Sequence, residues 1–189
     1  MSIKLNCDMG ESFGIWKMGL DEEIMPYIDM ANLACGFHAG DALIMNKSVL
    51  LAKKNNVTIG AHPGYQDLVG FGRRSMSCSN EEISAIVLYQ TGALNAFCKA
   101  HGTSVSYVKP HGGLYHDMMN NENVFKAILS AISSYDKNIK LMILSSPKNE
   151  EYALIAKAYN DYISLKDLLG GKQYLSYVIE EIYAEHKKD

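Results

Sequence analysis

Carboxylates, imidazoles and cations fall beside glycines at four places along the chain, and their types could support acid–base or metal chemistry. Asn6-Cys7-Asp8-Met9-Gly10-Glu11 offers two carboxylates three residues apart, suited to holding a metal or sharing proton transfer. Ala34-Cys35-Gly36-Phe37-His38-Ala39-Gly40-Asp41 carries His38 between two glycines that permit unusual backbone turns. In Gly60-Ala61-His62-Pro63-Gly64-Tyr65, Pro63 biases His62 toward an extended conformation and Gly64 permits a sharp turn. In Val108-Lys109-Pro110-His111-Gly112-Gly113, an extended backbone sends Lys109 and His111 to the same side. Lys109 can serve there as a fixed cation or electrophile and His111 as a proton carrier. Arg73-Arg74, after Gly70-Phe71-Gly72, adds adjacent guanidinium groups suited to a carboxylate or phosphate.

Each cluster also has a plainer reading. Asp8 can cap a turn with Glu11 solvated, a loop histidine such as His38 is commonly a surface residue, and an arginine pair is often only hydrated. Asp41 reads as a helix N-cap, and Cys7 and Cys35 as small buried hydrophobes. Trp16 is expected to pack over a loop or wall the pocket. His101, His116 and His186 lack comparable surroundings and read as surface residues. The repetition carries the weight: four successive polar clusters, three with His or Lys, are hard to explain by packing.

These clusters need elements to hold them. Ile3 to Asp8, Ile28 to Cys35, Val57 to His62, Val105 to Lys109 and Ile139 to Leu144 read as short strands bounded by polar, Gly or Pro residues. Asp41 to Asn55, Asn80 to His101, Asn123 to Ser134 and Glu150 to Tyr159 have helical periodicity. The clearest helix starts at Ser79 or Asn80, repeats Ile83, Ile86, Val87, Leu94 and Phe97 at helical spacing, and ends at Gly102. The β-α alternation predicts an α/β fold with a parallel sheet and ligands beyond the carboxyl ends of the strands, where the four clusters lie. Asn6 and Asp8 share one side of their strand, expected to face the ligand.

Composition sets outer bounds. At 189 residues, 48% apolar and 21% charged, the chain is expected to fold as one domain. A net charge of −3 with scattered basic residues argues against nucleic acid as a partner. No run approaches the ~18 apolar residues of a membrane span, and a cytoplasmic protein is expected. Four cysteines without C-x-x-C spacing indicate neither a zinc knuckle nor a disulfide framework. Residues 161–189, rich in Tyr and charge, read as divergent and mainly helical, with Tyr174 to Lys187 the clearest helix.

The strings Leu5-Asn6-Cys7-Asp8-Met9-Gly10-Glu11-Ser12, Ala34 to Asp41, Gly60 to Tyr65 with Gly70 to Arg74, and Lys109-Pro110-His111-Gly112 together resemble the LamB/YcsF family over roughly residues 3 to 150. The resemblance implies a seven-stranded parallel barrel related to the TIM barrel and to sugar deacetylases. It also implies ATP-dependent hydrolysis of 5-oxoproline to L-glutamate in concert with 5-oxoprolinase subunits B and C. Family members carry a further His-Gly-Asp strand tip that this chain lacks, so a barrel incomplete at the C-terminus is expected, with an open edge, a chain discontinuity or closure by a neighbour after Tyr159.

Without a G-x-x-x-x-G-K-[ST] motif, ATP with Mg2+ is expected to bind in another way or on a partner subunit; the nearest string is Gly170-Gly171-Lys172-Gln173. The expected catalytic residues are Asp8, Glu11, Lys109 and His111, with Asn6, His38, His62, Arg73 and Arg74 binding substrate. Two alternatives stand beside this: a deacetylase-like hydrolase with a divalent metal on Asp8, His38, His62 and His111, and a non-catalytic binding or assembly subunit. The sequence is compatible with a homo-oligomer.

Overall fold

The computed structural model describes residues 4–159. Five strands, β1 (Asn6–Met9), β2 (Met30–Ala34), β3 (Thr58–His62), β4 (Tyr107–Val108) and β5 (Lys140–Leu141), form one sheet in the order of the chain. Every neighbouring pair is parallel. Parallel neighbours need long crossovers, and the helices supply them. The short α1 (Asp21–Ile24) follows β1, α2 (Ala42–Lys54) joins β2 to β3, and α3 (Asn80–Ala100) joins β3 to β4. Helices α4 (Gly112–Asn120) and α5 (Glu122–Tyr135) join β4 to β5, and α6 (Asn149–Tyr159) comes after it.

Local chemistry accounts for the helix boundaries. Asp41 Oδ1 accepts the Leu43 and Ile44 N–H groups at 2.8 and 3.0 Å and starts α2. Ser79 and Glu82 form a reciprocal capping box at the head of α3. The apolar stripe of α5, including Phe125, Ile128, Leu129 and Ile132, packs on α3. In β2 and β3 the last four residues are all buried, as expected for parallel strands covered on both faces, whereas β1 is more open.

The parallel α/β architecture agrees with the sequence, with five strands among the described residues. The expectations for residues 161–189, including the Tyr174 to Lys187 helix, His186 and the chain course after Tyr159, lie outside the described residues. Helix α4 has no signal in the sequence, because two glycines open it. Gly112 has φ +48°, and a Cβ there would meet the Gly72 carbonyl oxygen, while the Gly113 N–H donates to that same oxygen at 2.7 Å. The glycines let the loop after β3 press against the start of α4.

Candidate functional site

The site begins with a row of residues aligned across the sheet. Asp8 is in register with Asn32, Asn32 with Gly60, and Gly60 with Tyr107. A Cβ on Gly60 would fall inside the Tyr107 ring, so the bare glycine lets that ring cross β3. The Tyr107 hydroxyl thereby donates to Asn32 Oδ1 at 2.6 Å. The Asn32 amide donates in turn to Asn6 Oδ1 at 2.9 Å and Asp8 Oδ1 at 2.7 Å. Asn6 and Asp8 thus face one side together, oriented by a fully buried asparagine.

Beyond β4 the chain stays extended, because the Lys109 N–H donates to the Ala61 carbonyl and the His111 N–H to the Pro63 carbonyl. Lys109 and His111 therefore project into one cavity of about 870 Å³, which Asn6, Asp8, His62 and Arg73 also line. Lys109 Nζ lies 2.6 Å from Asp8 Oδ1, and His62 Nε2 lies 3.4 Å from Asp8 Oδ2. Burial alone would raise the Asp8 pKa, but hydrogen bonds and charge from His62 and Lys109 overcome it and hold the carboxyl well below the usual range. Asp8 is accordingly a permanent anion and a weak base.

His62 and His111 are almost fully buried, and His38 is completely so. Burial pulls all three imidazole pKa values down, opposed at His38 mainly by Glu11 and at His62 mainly by Asp8. His38 and His111 stack with ring centroids 3.8 Å apart and planes 4° from parallel. On the far side of this stack a smaller apolar cavity of about 340 Å³ is lined by Glu11, His38, Phe13, Trp16, Val69 and Phe71. Trp16 is a wall of that second cavity, and Glu11 and His38 open on it rather than on the main one.

Arg73 and Arg74 part company. Arg73 lines the main cavity, whereas Arg74 is ion-paired to Asp67. The Arg74 hydrogen bonds hold the Asp67 carboxyl at a pKa of about 2, and Asp67 also accepts the Gly70 N–H at 3.0 Å. This clasp shapes the loop that carries Phe71. Three positioning residues escape a reading of the sequence: Asn32, Asp67 and Gln90. Gln90, fully buried on α3, accepts the Gly64 N–H at 3.1 Å and donates to the Gly64 carbonyl at 2.8 Å, fixing the turn after His62. Of the three, Asn32 alone leaves a trace, as a lone amide inside an apolar strand.

All four cysteines are free, and burial pushes the Cys35 thiol up to about 12, far from nucleophilic use. One ligand atom each from Glu11, His38, His62 and His111 lies within 4.8 Å of the others, close enough for one ion. Ring direction limits how the four could share it, to Glu11, His62 and one of the two stacked rings. An imidazole binds a metal in its own plane, so two ligands of one ion cannot lie in parallel planes stacked 3.8 Å apart, as His38 and His111 do. Asp8, engaged by Lys109, stands outside this foursome.

The LamB/YcsF family profile matches residues 3–161. The chain belongs to the LamB/YcsF family. Among its LamB/YcsF relatives, the 5-oxoprolinase A subunit of Vibrio cholerae is 51% identical over 175 residues, covering 93% of this chain and 70% of the relative. The corresponding Vibrio vulnificus protein is 56% identical over 172 residues, 91% of this chain and 68% of the relative. A crystal structure of the lactam utilization protein from Thermus thermophilus superimposes with a TM-score of 0.79 at 47% identity, covering 82% of this chain and 63% of that one. This LamB/YcsF chain thus spans between about three fifths and seven tenths of these relatives.

Proposed function

We propose that this chain is a 5-oxoprolinase A subunit, a hydrolase that opens the lactam of 5-oxoproline to give L-glutamate. The observation that carries the reading is the convergence of Asp8, Lys109, His62 and His111 on one cavity, in a chain 51% identical to a relative of that name. Lactam opening needs a cation for the oxyanion, a group to orient water, and an acid for the departing nitrogen. Lys109 supplies the first, the fixed anion Asp8 orients water, and the imidazoles handle the proton. Arg73, which lines the cavity, would receive the substrate carboxylate, and Asn6, also on the lining, would bind the substrate too.

An unstrained amide is a poor electrophile, and ATP with Mg2+, held on a partner in a complex with subunits B and C, would supply the activation. The five strands are the leading part of a seven-stranded barrel in a single domain that works in the cytoplasm. Among the described residues no helix is long and apolar enough to cross a membrane. The deacetylase-like reading would route the reaction through a metal on the histidines, to which the stacked His38 and His111 rings could give one ligand and not two. The test is a coupled assay for glutamate from 5-oxoproline, with and without ATP and the partner subunits. Glutamate should form only in the complete mixture; release of acetate from acetylated sugars by the isolated chain would overturn the assignment.

A further inference from the structure

Phe71 stands at the centre of the loop after β3 with its backbone in the left-handed region, φ +54°, where a bulky side chain is uncommon. Hydrogen bonds on either side hold it there. The Phe71 N–H donates to the Leu68 carbonyl at 3.2 Å, the Gly72 N–H to the Asp67 carbonyl at 2.8 Å, and the Gly70 N–H to Asp67 Oδ1 at 3.0 Å. The Asp67 carboxylate is itself gripped by Arg74. Gly72, also left-handed, admits no side chain, because a Cβ there would meet His38 and His111. A strained conformation kept by so many neighbours points to a use for the residue that adopts it.

Two contacts supply that use. The Phe71 carbonyl oxygen, 2.8 Å from His111 Nε2, can only accept, so Nε2 bears a hydrogen and Nδ1 is aimed at His62 Nε2, 3.0 Å away. This orientation is the same for the neutral ring and for the imidazolium. The Phe71 ring meets the His111 ring edge-on, centroids 5.1 Å apart, and the Arg73 guanidinium stands over it at 5.5 Å from its centroid. Arg73 has no carboxylate partner among the described residues, and it lines the main cavity.

We propose that Phe71 is a positioning residue for lactam opening, its carbonyl holding the His111 ring in place and its ring seating the Arg73 guanidinium where the substrate carboxylate arrives. Resting on the lactam reading for the substrate alone, this arrangement sets, through one residue, the distance between a group that handles the proton and the group that holds the carboxylate. A ring that only filled space beside the second cavity would do neither. Phe71→Leu keeps much of the apolar volume and removes the ring. In the complete assay it should raise KM for 5-oxoproline about tenfold while kcat stays within about twofold, and Phe71→Tyr should restore KM. Arg73→Gln should raise KM by at least as much, and adding Phe71→Leu to it should cost nothing further. Asp67→Ala frees the loop and its carbonyl, and should lower kcat by about ten- to a hundredfold. Arg74→Gln, a change on an exposed side chain, loosens the same clasp with less risk to the fold and should act in the same direction.

NMR of the labelled chain reads the seat without turnover. The Arg73 side-chain protons, assigned with Arg73→Gln, should be shifted upfield by the Phe71 ring, lose that shift in Phe71→Leu and regain it in Phe71→Tyr. A parent KM in Phe71→Leu, or an equal rise in KM with and without Arg73, would overturn the seat; a parent kcat in both clasp variants would overturn the role of the carbonyl. The upfield shift in a chain that opens no lactam would refute only the functional reading. Lactam opening without the shift would refute only the role of Phe71.

Discussion

A carboxylate bracketed by an ammonium and an imidazole loses basicity but becomes a dependable anchor, and Asp8 is held on both oxygens. Asp8→Asn keeps the shape and the Asn32 contact region while removing the charge that Lys109 and His62 lean on. Lactam opening in the complete assay should fall by about a hundredfold or more; an unchanged rate would take Asp8 out of the site. At the same scale, Gly60→Ala places a methyl inside the Tyr107 ring and should cost roughly 1–3 kcal/mol in urea unfolding, as overpacked positions do. Stability equal to the parent would mean that the Tyr107 bridge to Asn32 is dispensable. Asp8, His62, Lys109 and His111 could be read from the sequence because each lies at or just beyond the end of a strand, near a glycine or proline. Asn32 could not, since its partners Asn6, Asp8 and Tyr107 come from two other strands, the last 75 residues away.

Elements were legible where a single signal set them. Helix α3 announces itself by Ser79, Glu82 and an apolar stripe, and the capping box is formed as those residue types allow. Ser79→Ala should therefore cost about 1 kcal/mol in chemical denaturation, with little change in activity; no loss would show that α3 is held by packing alone. Helix α4 was illegible for the converse reason. Its opening Gly112-Gly113 is poor helix sequence, required only because the Gly72 to Ser75 backbone passes so close. The arginines show the same limit. Neighbours in sequence, Arg73 and Arg74 are sent to a cavity and to Asp67 by a loop whose path depends on residues on either side.

For the whole molecule, the parallel sheet puts every strand tip at one end, which is why residues about a hundred positions apart share a cavity. The same burial makes stability depend on pH. His38 has a lowered folded pKa, so below the ordinary value of about 6.5 the unfolded chain takes a proton that the native one refuses. Its contribution is fully present above that pH and is lost as pH falls. Asp8, also lowered in the folded state, keeps its contribution until pH drops below about 4, so the His38 loss sets in first as pH falls.

His62 and His111 are lowered in the folded state as His38 is, so all three let stability level off above about pH 6.5 and decline below it. Urea unfolding of the intact chain should therefore give a level profile from about pH 8 to 7 and a falling one from about pH 6.5 to 5.5, and His38→Gln should make the fall shallower. A profile flat down to about pH 5.5 would mean that burial does not keep these imidazoles neutral in the folded chain.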